Sequence, residues 1–178
     1  MSNAASIGDM GGSEDVTIRR AKRADARLVH DLILALADSL GVTQKVTAVA
    51  EDFEREGFGA KPAFETLIAE RDGKAVGLCL HFDSFSSWDG RRGVYVQDLF
   101  VAESARGLGL GRRLLAEAAA IVHARGGSYL RLSVDAQNTM AQRFYEQVGL
   151  YRSTTERIYQ VRESAFIDLV ESAEGCDP

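Results

Sequence analysis

Val94-Tyr95-Val96-Gln97-Asp98-Leu99-Phe100-Val101, followed after a short connection by Arg106-Gly107-Leu108-Gly109-Leu110-Gly111-Arg112, decides how the chain folds. The first run is rich in β-branched and aromatic residues and predicts a strand over Gly93–Val101. The glycines after it predict a turn, because glycine alone adopts positive φ freely and lets the backbone approach a ligand. From Leu110 the period changes to that of a helix. Leu110, Leu114, Leu115, Ala118, Ile121 and Val122 form one apolar stripe, and Gly126-Gly127 ends it. The first N–H groups of such a helix have no internal partner, and its dipole favours anions. Arg106, Arg112 and Arg113 add positive charge suited to phosphate. A P-loop would need Gly-Lys-Ser/Thr, and a dinucleotide loop would follow the first strand of a βαβ unit; neither pattern is present. Taken alone, the glycines also suit a plain tight turn.

Working outward, a short strand over Val16–Arg20 precedes a helix with Leu28, Leu32, Leu36 and Leu40 on one side and Asp25 placed to cap it. A charged helix over Val46–Phe58 follows. Strands over Phe64–Glu70 and Lys74–Phe85 are joined by Asp72-Gly73, a strong hairpin signal. Beyond the long helix come a strand over Tyr129–Val134 and a helix over Asn138–Val148. Two more strands, near Tyr151 and over Arg157–Val161, are expected to complete the sheet, and a last helix covers about Glu163–Glu171. Strands alternate with helices, so the class is α/β around a mixed sheet.

The chain has 178 residues, 46% of them hydrophobic, which suits one domain with a sizeable core. A flexible tail is expected over 1–15, a single domain over 16–172 and an acidic tail over 173–178. Ser2-Asn3-Ala4 fits the scar of a cleaved expression tag, although Met1 precedes it. Net charge is −5, yet the span from Val16 to Arg162 carries +3. That bias suits an anionic ligand and is too weak to indicate nucleic acid. No apolar run is long enough for a membrane helix. Cys79 and Cys176 cannot build a disulfide framework or a four-ligand zinc site, and no His/Cys cluster points to a metal. A cytoplasmic address is expected.

The spacing of Arg106, Gly109 and Gly111 resembles the acetyl-CoA diphosphate loop of the GNAT superfamily of N-acetyltransferases. A second motif lies downstream in the right order. Asn138 opens a helix carrying Arg143-Phe144-Tyr145-Glu146-Gln147-Val148-Gly149-Leu150, which is similar to that superfamily's hallmark segment. Within it, Glu51-Asp52-Phe53, Gly57-Phe58-Gly59, Trp88 and Gln97-Asp98-Leu99-Phe100-Val101 resemble the diamine (spermidine/spermine) and thialysine acetyltransferases, which are typically homodimers.

The resemblance implies a mixed, mostly antiparallel sheet, splayed between its fourth and fifth strands, with helices on both faces. It implies that the pantetheine arm of acetyl-CoA pairs with Leu99, Phe100 and Val101. Its diphosphate would rest on Arg106, Gly107, Leu108, Gly109, Leu110, Gly111 and Arg112. Asn138 would hold the arm, Phe144 and Tyr145 would lie beside it, and Tyr145 would protonate the departing thiolate. A backbone N–H near Leu99 or Phe100 would steady the carbonyl oxygen as charge builds there.

An amine near the lysine value of ~10.4 must lose a proton before it attacks. Gln97 stands where the polyamine enzymes carry a glutamate base. Glutamine orients a water but takes no proton at useful pH. Asp98, and Asp83 on the preceding strand, are the other candidates, and His81 on the third strand faces either the acceptor or away from it. Ser39-Leu40 replaces a Tyr-Glu pair of those relatives, so a monoamine, amino acid or thialysine-like acceptor fits better than a polycation. A weakly catalytic acyl-CoA sensor and a protein N-acetyltransferase are the competing readings.

Overall fold

A computed structural model describes residues 16–174 of the chain. The expected tail over 1–15 and the end of the expected acidic tail, 175–178, lie outside the described residues. The described chain falls into two compact units, one ending at Asp135 and one beginning at Ala136.

The first unit is built on five strands in spatial order β1 to β5: β1 (Val16–Arg20), β2 (Glu65–Arg71), β3 (Lys74–Ser86), β4 (Arg91–Val101) and β5 (Gly127–Leu132). The first four form an antiparallel meander, whereas β5 runs parallel to β4. Parallel neighbours need a crossover, and α3 (Leu110–His123) supplies it. The β2–β3 turn has Asp72 at φ 51° and Gly73 at φ 72°, the two left-handed residues that its Asp-Gly sequence predicts.

Helices α1 (Ala26–Ser39) and α2 (Ala50–Phe58) fill the connection from β1 to β2. Ala26, Val29, Leu32 and Phe53 pack with Ile68, Leu78, Leu80 and Phe100 in one core cluster. Strand side chains alternate between faces, so Leu67, Cys79 and Val96 point the other way. On that second face α3 lies against β2, β3, β4 and β5. All six residues of its expected stripe are buried.

Several local expectations shift. The buried spine of α1 is Ala26, Val29, Leu32 and Ala37, while Leu40 is 51% exposed. A four-residue repeat drifts around a helix of 3.6 residues per turn, so Leu40 leaves the core face. Asp25 stands at the N-cap of α1 but makes no side-chain cap bond to it. Its carboxylate instead accepts from Lys22 N–H at 2.7 Å and from Arg19, which also pairs with Glu70. Those partners hold the Asp25 carboxyl below its usual range, with the Arg19 bond the larger cause. The second charged helix starts at Ala50, after a single 3₁₀ turn over Thr43–Lys45.

The second unit holds α4 (Thr139–Gln147) and α5 (Glu163–Glu174). The strands expected near Tyr151 and over Arg157–Val161 are absent: the chain there is irregular and exposed. Strand propensity reports fit to a pleated, half-buried surface, and these residues have no pairing partner among the described residues. No helix among the described residues is long and apolar enough to cross a membrane.

Candidate functional site

The ladder between β3 and β4 is interrupted once. Leu80 opposes Asp98, yet the next residue, His81, opposes Val96, so Gln97 is one residue too many on β4. Such a bulge disrupts the ladder locally and re-aims the backbone. On the other side of β4, pairing with β5 ends at Val96 opposite Leu132. From Gln97 to Val101 that edge therefore carries backbone N–H and C=O groups with no strand paired beside them among the described residues, a template for an extended ligand. The bulge and the opening of the sheet fall on adjacent residues.

This free edge leads to the glycine loop. Gly107 and Gly109 adopt φ 81° and 72°, and a Cβ on either would project into space with no atom within 4 Å. Both the left-handed backbone and the emptiness beside it fit a cradle for a bulky anion. The N–H of Arg113 makes the bond back to Gly109 O, at 3.1 Å, so those of Leu110, Gly111 and Arg112 precede the first intrahelical bond. Arg106 through Gly109 and Arg112 are exposed. The Arg106 guanidinium donates to Val101 O at 3.3 Å, tying the loop to the end of β4. Gly111 lies within α3 and is not among the glycines of positive φ.

Asp98 shares the face of its opposed neighbour Leu80, toward α1 and α2. It is half-buried, and no cation or hydrogen-bond donor meets it among the described residues; burial pushes its carboxyl up. That is the environment of a proton acceptor or of a counter-charge for an ammonium group. Gln97, at the bulge itself, is exposed. Asp83 is a poorer base: it opposes Val94, away from the bulge, and Arg125 binds it at 3.2 Å. Cys79 is buried, and burial, reinforced by the Asp98 charge, pushes its thiol up to about 12, which makes it inert.

His81 does not face an acceptor space. It is fully buried, opposed to Glu65 on the α3 face, and neither ring nitrogen has a hydrogen-bond partner. Burial lowers its pKa, the Glu65 charge opposes that shift, and Arg125 adds to it. The unfolded chain binds the proton more readily, so this histidine's contribution to stability is complete above ~6.5 and is lost as pH falls below it. Unfolding midpoints measured in urea from pH 7.5 to 5 are expected to fall more steeply for the wild type than for His81→Phe.

A cleft of about 500 Å³, lined by Arg20, Phe58, Phe82, Asp83 and Arg125 among others, opens at the opposite end of the strands from the glycine loop. Its charges already neutralise one another, with Arg125 bridging Glu65 at 2.5 Å and Asp83 at 3.2 Å. Sequence reasoning missed a different pair, which lies closer to the opening. The Tyr95 hydroxyl and Ser133 Oγ are 2.7 Å apart, linking β4 to the residue just past β5. Only the parallel register makes these two neighbours, and nothing in the order of the residues signals it.

In the second unit, Asn138 caps α4 by accepting from Ala141 N–H at 3.0 Å. Its side-chain N–H groups remain without a partner among the described residues. Phe144 and Tyr145 follow on the same helix, their rings tilted against each other at 5.3 Å, and both are half-buried. Gln97 through Val101 and Arg106 through Arg112 thus lie in the first unit, and Asn138, Phe144 and Tyr145 lie in the second.

Residues 33–150 match the acetyltransferase (GNAT) family. A thialysine N-epsilon-acetyltransferase of Bos taurus is 32% identical over 142 residues, covering 75% of this chain and 83% of the relative. An integron cassette protein from the V. cholerae mobile metagenome superposes with a TM-score of 0.74 at 23% identity, covering 88% of this chain and 98% of that one. An aminoglycoside N-acetyltransferase solved in complex with CoA superposes at 0.69 with 18% identity, covering 89% and 99%. The chain belongs to the acetyltransferase (GNAT) family and is an N-acetyltransferase.

Proposed function

We propose that the chain transfers an acetyl group from acetyl-CoA to the primary amine of a small molecule, by direct attack while both are bound. The observation that carries this reading is the coincidence of the Gln97 bulge with the end of β4–β5 pairing, one strand-length from the glycine cradle. Acetyl-CoA, when bound, supplies an activated thioester carbonyl. Gly107 through Arg112 hold the diphosphate, and the free edge of Leu99–Val101 pairs with the arm. Backbone N–H groups re-aimed at the bulge steady the developing charge on the carbonyl oxygen. Asp98 takes the proton from the incoming ammonium group. The new C–N bond forms as the C–S bond breaks, the Tyr145 hydroxyl gives its proton to the departing thiolate, and the surplus proton left on the acylated nitrogen passes to water, from which Tyr145 is reprotonated. Holding two reactants in line supplies much of the acceleration.

The acceptor is best read as an amino acid or thialysine-like amine. A CoA-bound relative of the same fold and a thialysine-acetylating relative support the two halves of the proposal. Asp98 is the only carboxylate of β4, so a single positive charge is matched better than a polycation. A homodimer is part of the same proposal. The β3–β4 hairpin presents Phe85 and Trp88, 65% and 98% exposed, a surface suited to association and checked by light scattering.

The test is release of free thiol from acetyl-CoA with a panel of diamines, amino acids and thialysine; silence with every amine would sink the proposal. CoA affinity without thiol release would favour the sensor reading, which Gln97 motivates. Tyr145→Phe is expected to lower kcat by about 10²-fold with CoA affinity unchanged by calorimetry, since only a proton transfer is removed. A matching loss of CoA affinity would make Tyr145 a packing residue.

A further inference from the structure

Resting on the reading above, we propose that the Tyr95–Ser133 clasp is the floor of the acyl-donor gap and selects the length of the acyl group. Tyr95 opposes Phe82, and the rings stack at 5.1 Å with planes 21° apart. Opposed residues share a face, so Tyr95 lies on the side of Leu80 and Asp98, toward α1 and α2. From there its hydroxyl reaches Ser133 at 2.7 Å.

The position of this bond is what matters. Val96 and Leu132 are the last paired residues of β4 and β5, and Ser133 is the first residue past the pair. The clasp therefore spans the two strands at the rung where they part. Beyond it, Gln97 to Val101 offer about 16 Å of free edge at ~3.3 Å per residue, leading to the glycine loop. A donor with its diphosphate at that loop points its acyl end the other way, at the closed end. There it meets the Tyr95 ring on one face, and Val96, which is buried on the other. The ring is held from two directions, by Phe82 behind it and Ser133 ahead, so swinging aside for a longer chain costs both contacts. Tyr95 is thus a specificity-determining residue, with Ser133 and Phe82 positioning it.

The experiment compares acetyl-, propionyl- and butyryl-CoA in the wild type, Tyr95→Ala, Tyr95→Phe and Ser133→Ala. Thiol release at saturating amine gives kcat/KM for each donor. Calorimetry without amine gives the affinity of each acyl-CoA, a readout independent of turnover. An apolar pocket discriminates one methylene by about 10–200-fold at most, so the wild type is expected to prefer acetyl over butyryl strongly. In Tyr95→Ala that preference should fall at least about 10-fold, in kcat/KM and in affinity, as butyryl-CoA gains a place. Ser133→Ala and Tyr95→Phe should shift it in the same direction by a smaller factor, because Phe82 still supports the ring.

An unchanged acetyl-to-butyryl ratio in a folded Tyr95→Ala overturns the inference. Should that variant fail to fold, an unchanged ratio in both milder variants overturns it equally. Failure of the parent reading looks different: the wild type itself would then neither bind CoA nor release thiol.

Discussion

Asp98→Asn is expected to lower kcat/KM by about 10²–10⁴-fold near neutral pH, the range typical for a lost proton acceptor. Asp98 stands one residue beyond the bulge, half-buried with no neutralising partner among the described residues, and burial pushes its carboxyl up. A carboxyl moved up in this way is a better base than an exposed one, and the variant keeps its shape while removing that function. The deficit should shrink as pH rises toward the amine's own pKa, because more of the amine then arrives unprotonated. The same shift fixes a second readout. A group whose folded pKa is raised above the unfolded value of ~3.9 adds stability that is complete below that pH and is lost as pH rises through the folded pKa. At neutral pH the charged Asp98 therefore costs stability, and Asp98→Asn should melt higher than the wild type while turning over far more slowly. A Tm that falls with activity would mark Asp98 as a structural residue.

Gly109→Val is expected to weaken CoA binding by about 100-fold, equivalent to ~2.7 kcal/mol. At φ 72° a β-branched residue is badly strained, and its side chain would enter the open space beside the cradle. Strain alone could loosen the loop, so the informative control is Gly73→Val. Gly73 has the same φ of 72°, also with nothing within 4 Å of a Cβ, but sits in the β2–β3 turn. Both variants should lose a similar ~1–2 kcal/mol of stability for leaving glycine in a left-handed position. Only Gly109→Val should lose CoA, measured by calorimetry. Equal CoA affinity in the two would move the diphosphate elsewhere.

What could be read from the residues depended on whether the signal was local. The stripe of α3, the Asp72-Gly73 turn and the glycine loop are each specified within a few residues, and each stands where expected. The Gln97 bulge was not legible, because a bulge is a mismatch between two strands and exists only once they pair. The face that His81 takes was not legible for the same reason: it depends on the register of the neighbouring strands. The strands expected near Tyr151 and over Arg157–Val161 had the composition of strands without a partner to pair with. At the candidate site, the residue types of the cradle were visible, whereas the environment that distinguishes Asp98 from Asp83 belongs to tertiary structure. Arg125, which claims Asp83, comes from a different element altogether.

Tyr95 and Asp98 face the same side, with Val96 and Gln97 between them, where strict alternation would have put them on opposite sides. Excising residue 97 would therefore restore an unbroken ladder and leave every other side chain of β4 on the face it already occupies. The protein minus that single amino acid should fold as well as before, with its interior intact. Architecture and chemistry are thus separable here by one codon, which makes the deletion a cleaner inactive reference than any substitution.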